Sequence, residues 1–157
     1  MKIRLLVTGK TEDSFIKTGI CEYVSRINHY IPFEIVEIQS LKNTSNLTIA
    51  EQKAQEAVLI KKQIHPGNIL VLLDEHGKEL TSIGFATFLN RLFLTGGKTI
   101  VFLVGGPYGF DECLIKSADH ILSLSRMTFS HQMVRLFFTE QFYRAMTILR
   151  GESYHHE

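Results

Sequence analysis

Short apolar segments alternate with longer segments of helical periodicity along the whole chain, and this alternation restricts the fold more than any other feature. Five segments are predicted to be strands, at residues 3–7, 33–38, 69–73, 99–104 and 121–124. The third is apolar on both faces, as expected for a central strand covered by helices on both sides. Strands and helices that alternate in this way predict an α/β domain with a parallel sheet.

Helices are predicted between these strands, with bounds set by local signals. Thr48 and Glu51 have the spacing of a capping box, and Ser82 is positioned to cap the third helix. Residues 74–78 are expected to form the turn after the third strand, and the last helix is expected over about residues 132–149. No repeat or linker interrupts the pattern, so residues 1–157 are predicted to form one domain.

Composition and charge exclude several classes of protein. A net charge of +1 creates no field typical of a nucleic-acid binder, so RNA binding would need a local patch, and DNA is not an expected partner. Cys21 and Cys113 are predicted to be reduced, buried thiols. Arg4 interrupts the apolar N-terminal segment, and no apolar stretch approaches the length of a membrane span. A cytoplasmic protein without a membrane partner is therefore expected.

The carboxyl ends of three predicted strands point to one ligand site, because ligands of open α/β sheets bind at that edge. The segments that follow these strands are Leu73-Asp74, Gly105-Gly106-Pro107 and residues 123–130. Glycine allows the backbone to approach a ligand, although a simple tight turn is the alternative. The sequence lacks the glycine-rich motifs of dinucleotide and P-loop sites, so neither of those phosphate-binding modes is expected.

Two further segments carry polar side chains whose sequence context leaves alternatives open. Hydroxyl and apolar residues alternate before the last helix, where they could surround an amphipathic ligand, or where Ser130 could simply cap that helix. His131 could be a general base or an ordinary surface residue. The terminal Tyr154, His155 and His156 suggest a frayed end on chemistry alone. No metal is expected there, because further ligands are missing at suitable spacing.

Four motifs taken together nevertheless resemble one known family. They are VGGPYG at residues 104–109, LSLSRMTFSHQMVR at 122–135, EQFYRA at 140–145 and the terminal Tyr154-His155. This combination resembles the RlmH family, SPOUT-class enzymes that methylate N3 of a pseudouridine in large-subunit ribosomal RNA. The resemblance extends over the whole chain and includes Gly19 in the first helix and Pro32 before the second strand.

The resemblance implies a parallel α/β sheet with a C-terminal trefoil knot, a homodimer, and the 23S rRNA of the ribosome as substrate. It implies S-adenosyl-L-methionine as methyl donor, held largely through backbone groups at Leu73, Gly105, Leu124, Ser125, Arg126, Met127, Thr128 and Phe129. It also places Tyr154 and His155 near the target base. The family usually continues with Arg or Lys, whereas this chain has His156, whose neutral ring lacks the fixed charge of Arg.

The implied reaction removes the weakly acidic N3 proton, and His155 is the first candidate for that step, with His131 second. Tyr154 could stack on the base or hydrogen-bond to it. Four arginines could form the local RNA patch or could be ordinary solvated side chains: Arg126, Arg135, Arg144 and Arg150. Two alternatives remain, a non-catalytic α/β module that binds a nucleotide or assembles on ribosomes, and a SPOUT enzyme that acts on tRNA.

Overall fold

A computed structural model describes residues 1–156, so Glu157 at the end of the tail lies outside the described part. Its five strands are β1 Lys2–Thr8, β2 Phe33–Ile38, β3 Ile69–Glu79, β4 Thr99–Val104 and β5 His120–Ser123. They form one sheet in the order β2-β1-β4-β3-β5, with every adjacent pair parallel. The predicted parallel α/β sheet is confirmed, and the knot implied by the resemblance stays a prediction.

Five helices cover the two faces of this sheet: α1 Ser14–Ile27, α2 Ile49–Lys61, α3 Ser82–Phe93, α4 Glu112–Ser117 and α5 Met133–Arg150. Alternate strand residues point to opposite faces, so Leu5 packs with α1, α3 and α5, while Leu6 packs with α2 and α4. Val71 and Leu72, neighbours on β3, are both fully buried, which confirms a central covered strand. None of the described helices is long and apolar enough to cross a bilayer.

The capping signals were correct for α2 and displaced by one residue for α3. Thr48 and Glu51 form the predicted capping box. At α3 the cap is Thr81, whose hydroxyl oxygen accepts from the Gly84 N–H at 3.0 Å. Ser82 instead donates its hydroxyl to Oε1 of Gln141 on α5 at 2.8 Å, because it already lies in the first helical turn.

The prediction that both cysteines are buried was wrong for Cys21. Its side chain is exposed, and Cys113 is partly buried. On α1 the residues that face the sheet include Ile16, Ile20 and Ile27. Cys21 follows Ile20 and is therefore rotated about 100° around the helix, away from the core.

The predicted turn at residues 74–78 is also corrected, because β3 continues through it to Glu79. Leu122 on β5 is the partner of Leu73 and again of Lys78, so residues 74–77 form an excursion from the sheet. Gly77 returns the excursion to β5: a Cβ added there would lie 2.5 Å from the Leu122 carbonyl carbon. Only glycine allows that approach, which shapes the carboxyl edge of the sheet.

The last helix, α5, connects the two edges of the sheet. Phe138 and Phe142 on α5 pack against Phe102 of β4, with ring centroids 4.8 and 6.0 Å away. With 18 residues α5 is about 27 Å long. Gly151 ends it in a left-handed conformation, at φ 68°. The helix thus carries the chain from the carboxyl ends of the strands toward their amino ends, where the tail follows.

Candidate functional site

A cavity of about 360 Å³ lies at the carboxyl edge, where β3, β4 and β5 end. Seven of the eight residues predicted to hold a methyl donor line it, namely Leu73, Gly105, Leu124, Ser125, Met127, Thr128 and Phe129. Arg126 does not line it: its exposed guanidinium donates from Nε to a Glu79 carboxylate oxygen at 2.9 Å. The structure therefore places the three predicted strand-end segments around one space.

The glycine segment forms a tight turn and a cavity wall at the same time, so the two alternatives are compatible. The Gly109 N–H donates to the Gly106 carbonyl at 3.1 Å, and Gly109 has a φ of 77°. A Cβ added to Gly105 would lie 3.1 Å from the Phe110 ring, and one at Gly106 would lie 2.9 Å from a Glu56 carboxylate oxygen. Backbone rather than side chain thus forms this wall.

Glu56 of α2 is a residue that the sequence analysis missed. Its carboxylate fills the space that a Cβ on Gly106 would need, and burial raises the pKa of this carboxyl group. Nothing local in the sequence connects Glu56 with Gly106, because the two residues are 50 positions apart.

Hydroxyl side chains hold the loop that closes the cavity. Ser123 donates to the Ser125 carbonyl at 2.9 Å, and the Ser125 hydroxyl oxygen accepts from the Met127 N–H at 2.9 Å. Ser130 accepts from the Met133 N–H at 3.1 Å, so it also caps α5 as the alternative interpretation had it. These bonds fix the shape of the loop, whose backbone and side chains line the cavity.

His131 lies at the cavity and is exposed. Its carbonyl accepts from the Nε of Arg135 at 3.0 Å, which fixes the backbone at this point. Of the three predicted catalytic residues, His131 lines this cavity, whereas Tyr154 and His155 do not.

The prediction that Arg135 belongs to a surface RNA patch is corrected, because only 1% of this residue is exposed. Its guanidinium donates to the Thr8 carbonyl at 2.7 Å, the Gly9 carbonyl at 3.1 Å and the Thr11 hydroxyl at 3.0 Å. Burial lowers the pKa of this guanidinium. Arg135 therefore ties α5 to the end of β1 and has no free donor face for a phosphate.

The tail is held in place rather than frayed. The Tyr154 hydroxyl donates to Glu140 Oε1 at 3.1 Å and lies 3.3 Å from the Tyr23 hydroxyl. The Arg144 guanidinium lies 4.8 Å from the centre of the Tyr154 ring, and the Tyr143 ring packs on its edge. Burial, and then the hydrogen bonds to Tyr23 and Glu140, raise the pKa of Tyr154.

His155 Nδ1 lies 3.3 Å from a terminal nitrogen of Arg144. A guanidinium can only donate, so Nδ1 accepts and the neutral ring carries its proton on Nε2. Arg144 is itself oriented by Glu140, which accepts from its Nε at 3.1 Å and from Nη2 at 2.5 Å. The i,i+4 spacing of Glu140 and Arg144 was the available sequence signal for this network.

The tail and the cavity are separate within this chain. No residue of the described tail, residues 151–156, lines the cavity. Glu140 and Arg144, which hold the tail, follow the cavity residue Val134 by six and ten positions, or about 9 and 15 Å along the helix axis. Arg150 is exposed in the last turn of α5.

Comparisons with known proteins identify the family of this chain. A family model described as "Predicted SPOUT methyltransferase" matches residues 1–155. The ribosomal RNA large subunit methyltransferase H of Parabacteroides distasonis is 55% identical over 157 residues, with both chains fully covered. Proteins of the same name from Phocaeicola vulgatus and Flavobacterium johnsoniae are 51% and 48% identical, again over both full lengths.

A solved structure supports the fold independently. A probable methyltransferase from Bordetella pertussis matches 92% of this chain and 94% of its own, with a TM-score of 0.58 and 12% identity, a likeness that shows the fold alone. Together with the full-length relatives and the family match, it leads to one conclusion: the chain belongs to the SPOUT methyltransferase family and, within it, to the RlmH group.

Proposed function

We propose that this chain transfers a methyl group from S-adenosyl-L-methionine to N3 of a pseudouridine in 23S ribosomal RNA, acting in the cytoplasm on assembled ribosomes. The observation that carries the proposal is the cavity at the strand ends, which is lined by seven of the eight residues implied to hold the methyl donor. We call it the donor cavity. The relatives' shared name, ribosomal RNA large subunit methyltransferase H, supports the RNA class.

The cavity fits the donor in size and chemistry. Its volume of about 360 Å³ lies within the range of small-ligand sites. Gly105 lines the cavity without a side chain, because the Phe110 ring fills the place of its Cβ, while Leu124 and Phe129 offer apolar surface to a ring system. When bound, S-adenosyl-L-methionine supplies a methyl carbon made electrophilic by a sulfonium. The protein's part is to orient that carbon and to exclude water.

His131 and His155 would serve the N3 proton in different ways. Nδ1 of His155 accepts from Arg144, so its Nε2–H is directed to act as a donor. A donor near a carbonyl of the target base would stabilise the imide anion left when N3 loses its proton. His131, at the cavity, is then the better placed acceptor for the proton itself. Tyr154 would stack on the base or hydrogen-bond to it.

The separation of tail and cavity supports a homodimer. Glu140 and Arg144, which hold the tail, lie about 9 and 15 Å along α5 from the cavity of their own chain. The tail would therefore serve the cavity of a partner protomer. Exposed apolar side chains line the surface near the cavity: Met127 is 76% exposed, and Phe137 is partly exposed and packs at a tilt against Phe129, with ring centroids 4.7 Å apart. A twofold axis would bury this surface and pair each tail with the other protomer's cavity.

RNA would be contacted by a smaller set of arginines than the sequence suggested. Arg126 and Arg150 are exposed and remain candidates for phosphate contacts. Arg144 would act through its hold on Tyr154 and His155 as well as through its charge. Arg135 is no longer part of the set.

Methyl transfer to purified ribosomes, separate subunits, free rRNA and tRNA tests the proposal, with the modified nucleoside then mapped. We expect product in large-subunit RNA, greatest with assembled ribosomes. Product on tRNA alone would reject the RlmH activity and favour a tRNA enzyme of the same class.

Donor binding tests the alternative of a module without chemistry. At 100 times its dissociation constant, S-adenosyl-L-methionine should raise the free energy of unfolding by about 2.7 kcal/mol. Thermal unfolding with the donor, with its demethylated product and with adenosine would show whether the cavity selects this class of ligand. No shift at saturating donor would remove the basis of the proposal.

A further inference from the structure

A second, larger cavity lies beside the donor cavity and has no role in the function proposed so far. Its volume is about 640 Å³, and it opens on the sheet face covered by α2 and α4. It shares five lining residues with the donor cavity: Asp74, Glu75, Pro107, Gly109 and Phe110. Whatever occupies it therefore lies next to the reacting group.

The floor of this second cavity is apolar. Leu72 and Phe110 are buried there, and Ile121 is partly buried beside them. Tyr108, at the mouth, is 49% exposed, and Ile115 is also exposed. An exposed aromatic ring over an apolar floor is suited to a flat, aromatic ligand.

Charged groups of both signs stand at the rim. Lys53 of α2 and Lys78 at the end of the β3 excursion both line the cavity. Asp74 lines it as well, and its Oδ1 already accepts from the backbone N–H and ring of His76 at 2.8 and 2.9 Å. Its Oδ2 faces Gly109 and accepts no hydrogen bond from residues 1–156, so it can accept one from a ligand.

We propose that the second cavity binds an unstacked nucleotide of the RNA that neighbours the target nucleotide. Its base would stack on Tyr108, an exocyclic amino group would donate to Asp74, and its phosphates would approach Lys53 and Lys78. Single-stranded RNA is commonly recognised in this way, by stacking, edge contacts and lysines together. The inference rests on the proposed function, because the neighbouring nucleotide is defined by the methylated one.

The mixed charge of the rim distinguishes this occupant from a simple anion. A phosphate alone would meet Asp74 and Glu75 as well as the lysines, whereas a base with an amino group uses both signs. The shared wall gives the nucleotide a further role, since it would hold the target in register with the donor cavity. Tyr108 is then a specificity-determining residue rather than a catalytic one.

The test compares Tyr108→Ala with Tyr108→Phe in methyl transfer to intact ribosomes. Loss of one stacked base should raise KM for ribosomes about tenfold or more in Tyr108→Ala, with a smaller effect on kcat. Tyr108→Phe keeps the ring and should restore KM. Leu94→Ala changes another exposed apolar residue, 79% exposed at the end of α3, and serves as the matched control.

Salt dependence gives a second, independent readout. Lys53→Ala and Lys78→Ala should each reduce the slope of log KM against log salt by about one, because each removes one phosphate contact. Donor affinity, measured by calorimetry without RNA, should stay within about twofold of the wild-type value in all of these variants.

The outcomes separate the inference from the function on which it rests. Wild-type methyl transfer together with an unchanged KM for Tyr108→Ala would overturn the second-cavity inference alone. If Tyr108→Ala lost donor affinity by the same factor by which its KM rose, the ring would belong to the donor cavity, and the second-cavity inference would also be overturned. If the wild-type chain methylates no ribosomal RNA, the proposed function fails and the inference fails with it.

Discussion

The donor cavity and the C-terminal tail, which lie toward opposite ends of α5, are built in different ways. The cavity is walled by glycines, strand ends and a loop that Ser123 and Ser125 hold by hydrogen bonds to its backbone. The tail is held mainly by side chains, through Glu140, Arg144 and the tyrosines around Tyr154, after one backbone bond from the Glu152 N–H to the Thr147 carbonyl. Backbone walls survive most side-chain changes, whereas a side-chain network loses its geometry when one member is removed.

The largest effect is expected at the tail. His155→Ala should lower the single-turnover rate of methyl transfer about 10²- to 10⁴-fold, the usual range for a positioned proton donor or acceptor. Donor affinity, measured by calorimetry, should not change, because His155 is absent from the cavity of its own chain and is proposed to act on the target base beside the partner's cavity, not on the donor. His156→Ala is the control and should retain near wild-type turnover. A parallel loss of donor affinity would place the tail inside the donor site and remove the contrast between the two regions.

Arg135→Met tests the contact that ties α5, the helix between the cavity and the tail, to the end of β1. The substitution leaves the Thr8 and Gly9 carbonyls without their charged donor, so we expect a loss of about 3 kcal/mol in the free energy of unfolding. Urea denaturation measures it. Arg150→Met, at an exposed position on the same helix, should stay within about 0.5 kcal/mol. A stable Arg135→Met variant with weakened RNA binding would restore the RNA role that the structure removes.

Gly77→Ala tests the backbone wall directly. The new methyl group would meet the Leu122 backbone at 2.5 Å, and overpacking of this kind costs about 1–3 kcal/mol. Asp74 and Glu75 of the same excursion line both cavities, so donor affinity should fall together with stability. Lys78, one residue further on, already has a Cβ, so Lys78→Ala adds no atom at this contact and should leave stability nearly unchanged. Full donor affinity in Gly77→Ala would mean that the excursion does not shape the donor site.

Glu56→Gln should give the smallest effect and depend on pH. Burial raises the pKa of Glu56 in the folded protein above its ordinary value of 4.5, so the folded state favours the protonated form. Wild-type stability should therefore fall as pH rises through that raised pKa, and the neutral amide should escape this loss. We expect Glu56→Gln to be more stable at pH 7 by less than about 1 kcal/mol after solvent screening. Urea denaturation at pH 4 should show almost no difference, and a difference that persists there would point to packing instead.

Local sequence signals were sufficient for the strands and most helices. The bounds of β2 and β4 agree with the predicted residues, and the capping box at Thr48 was found in place. The errors occurred where a distant residue decides the local structure. The excursion after Leu73 depends on β5, which pairs with β3 on both sides of it, and no neighbour in sequence announces that pairing.

The candidate site divides in the same way. Strand ends of a parallel sheet share one edge, so the position of the donor cavity followed from the strand pattern, and the family resemblance supplied the individual residues. Arg135 could not be separated from Arg126 by sequence, because both are charged residues near the same loop. Their roles differ because one guanidinium meets backbone carbonyls in the interior and the other meets solvent.

The sequence by itself determined the alternation of strands and helices, the edge of the sheet at which the cavity lies and the family to which the chain is similar. These depend on periodicity and motif, which are properties of neighbouring residues. Only the tertiary structure decided that Arg135 is internal, that Glu140 and Arg144 hold Tyr154 and His155, and that the tail stands apart from its own cavity. Those facts depend on contacts between residues distant in sequence or on the direction of a side chain, and neither is written in local pattern.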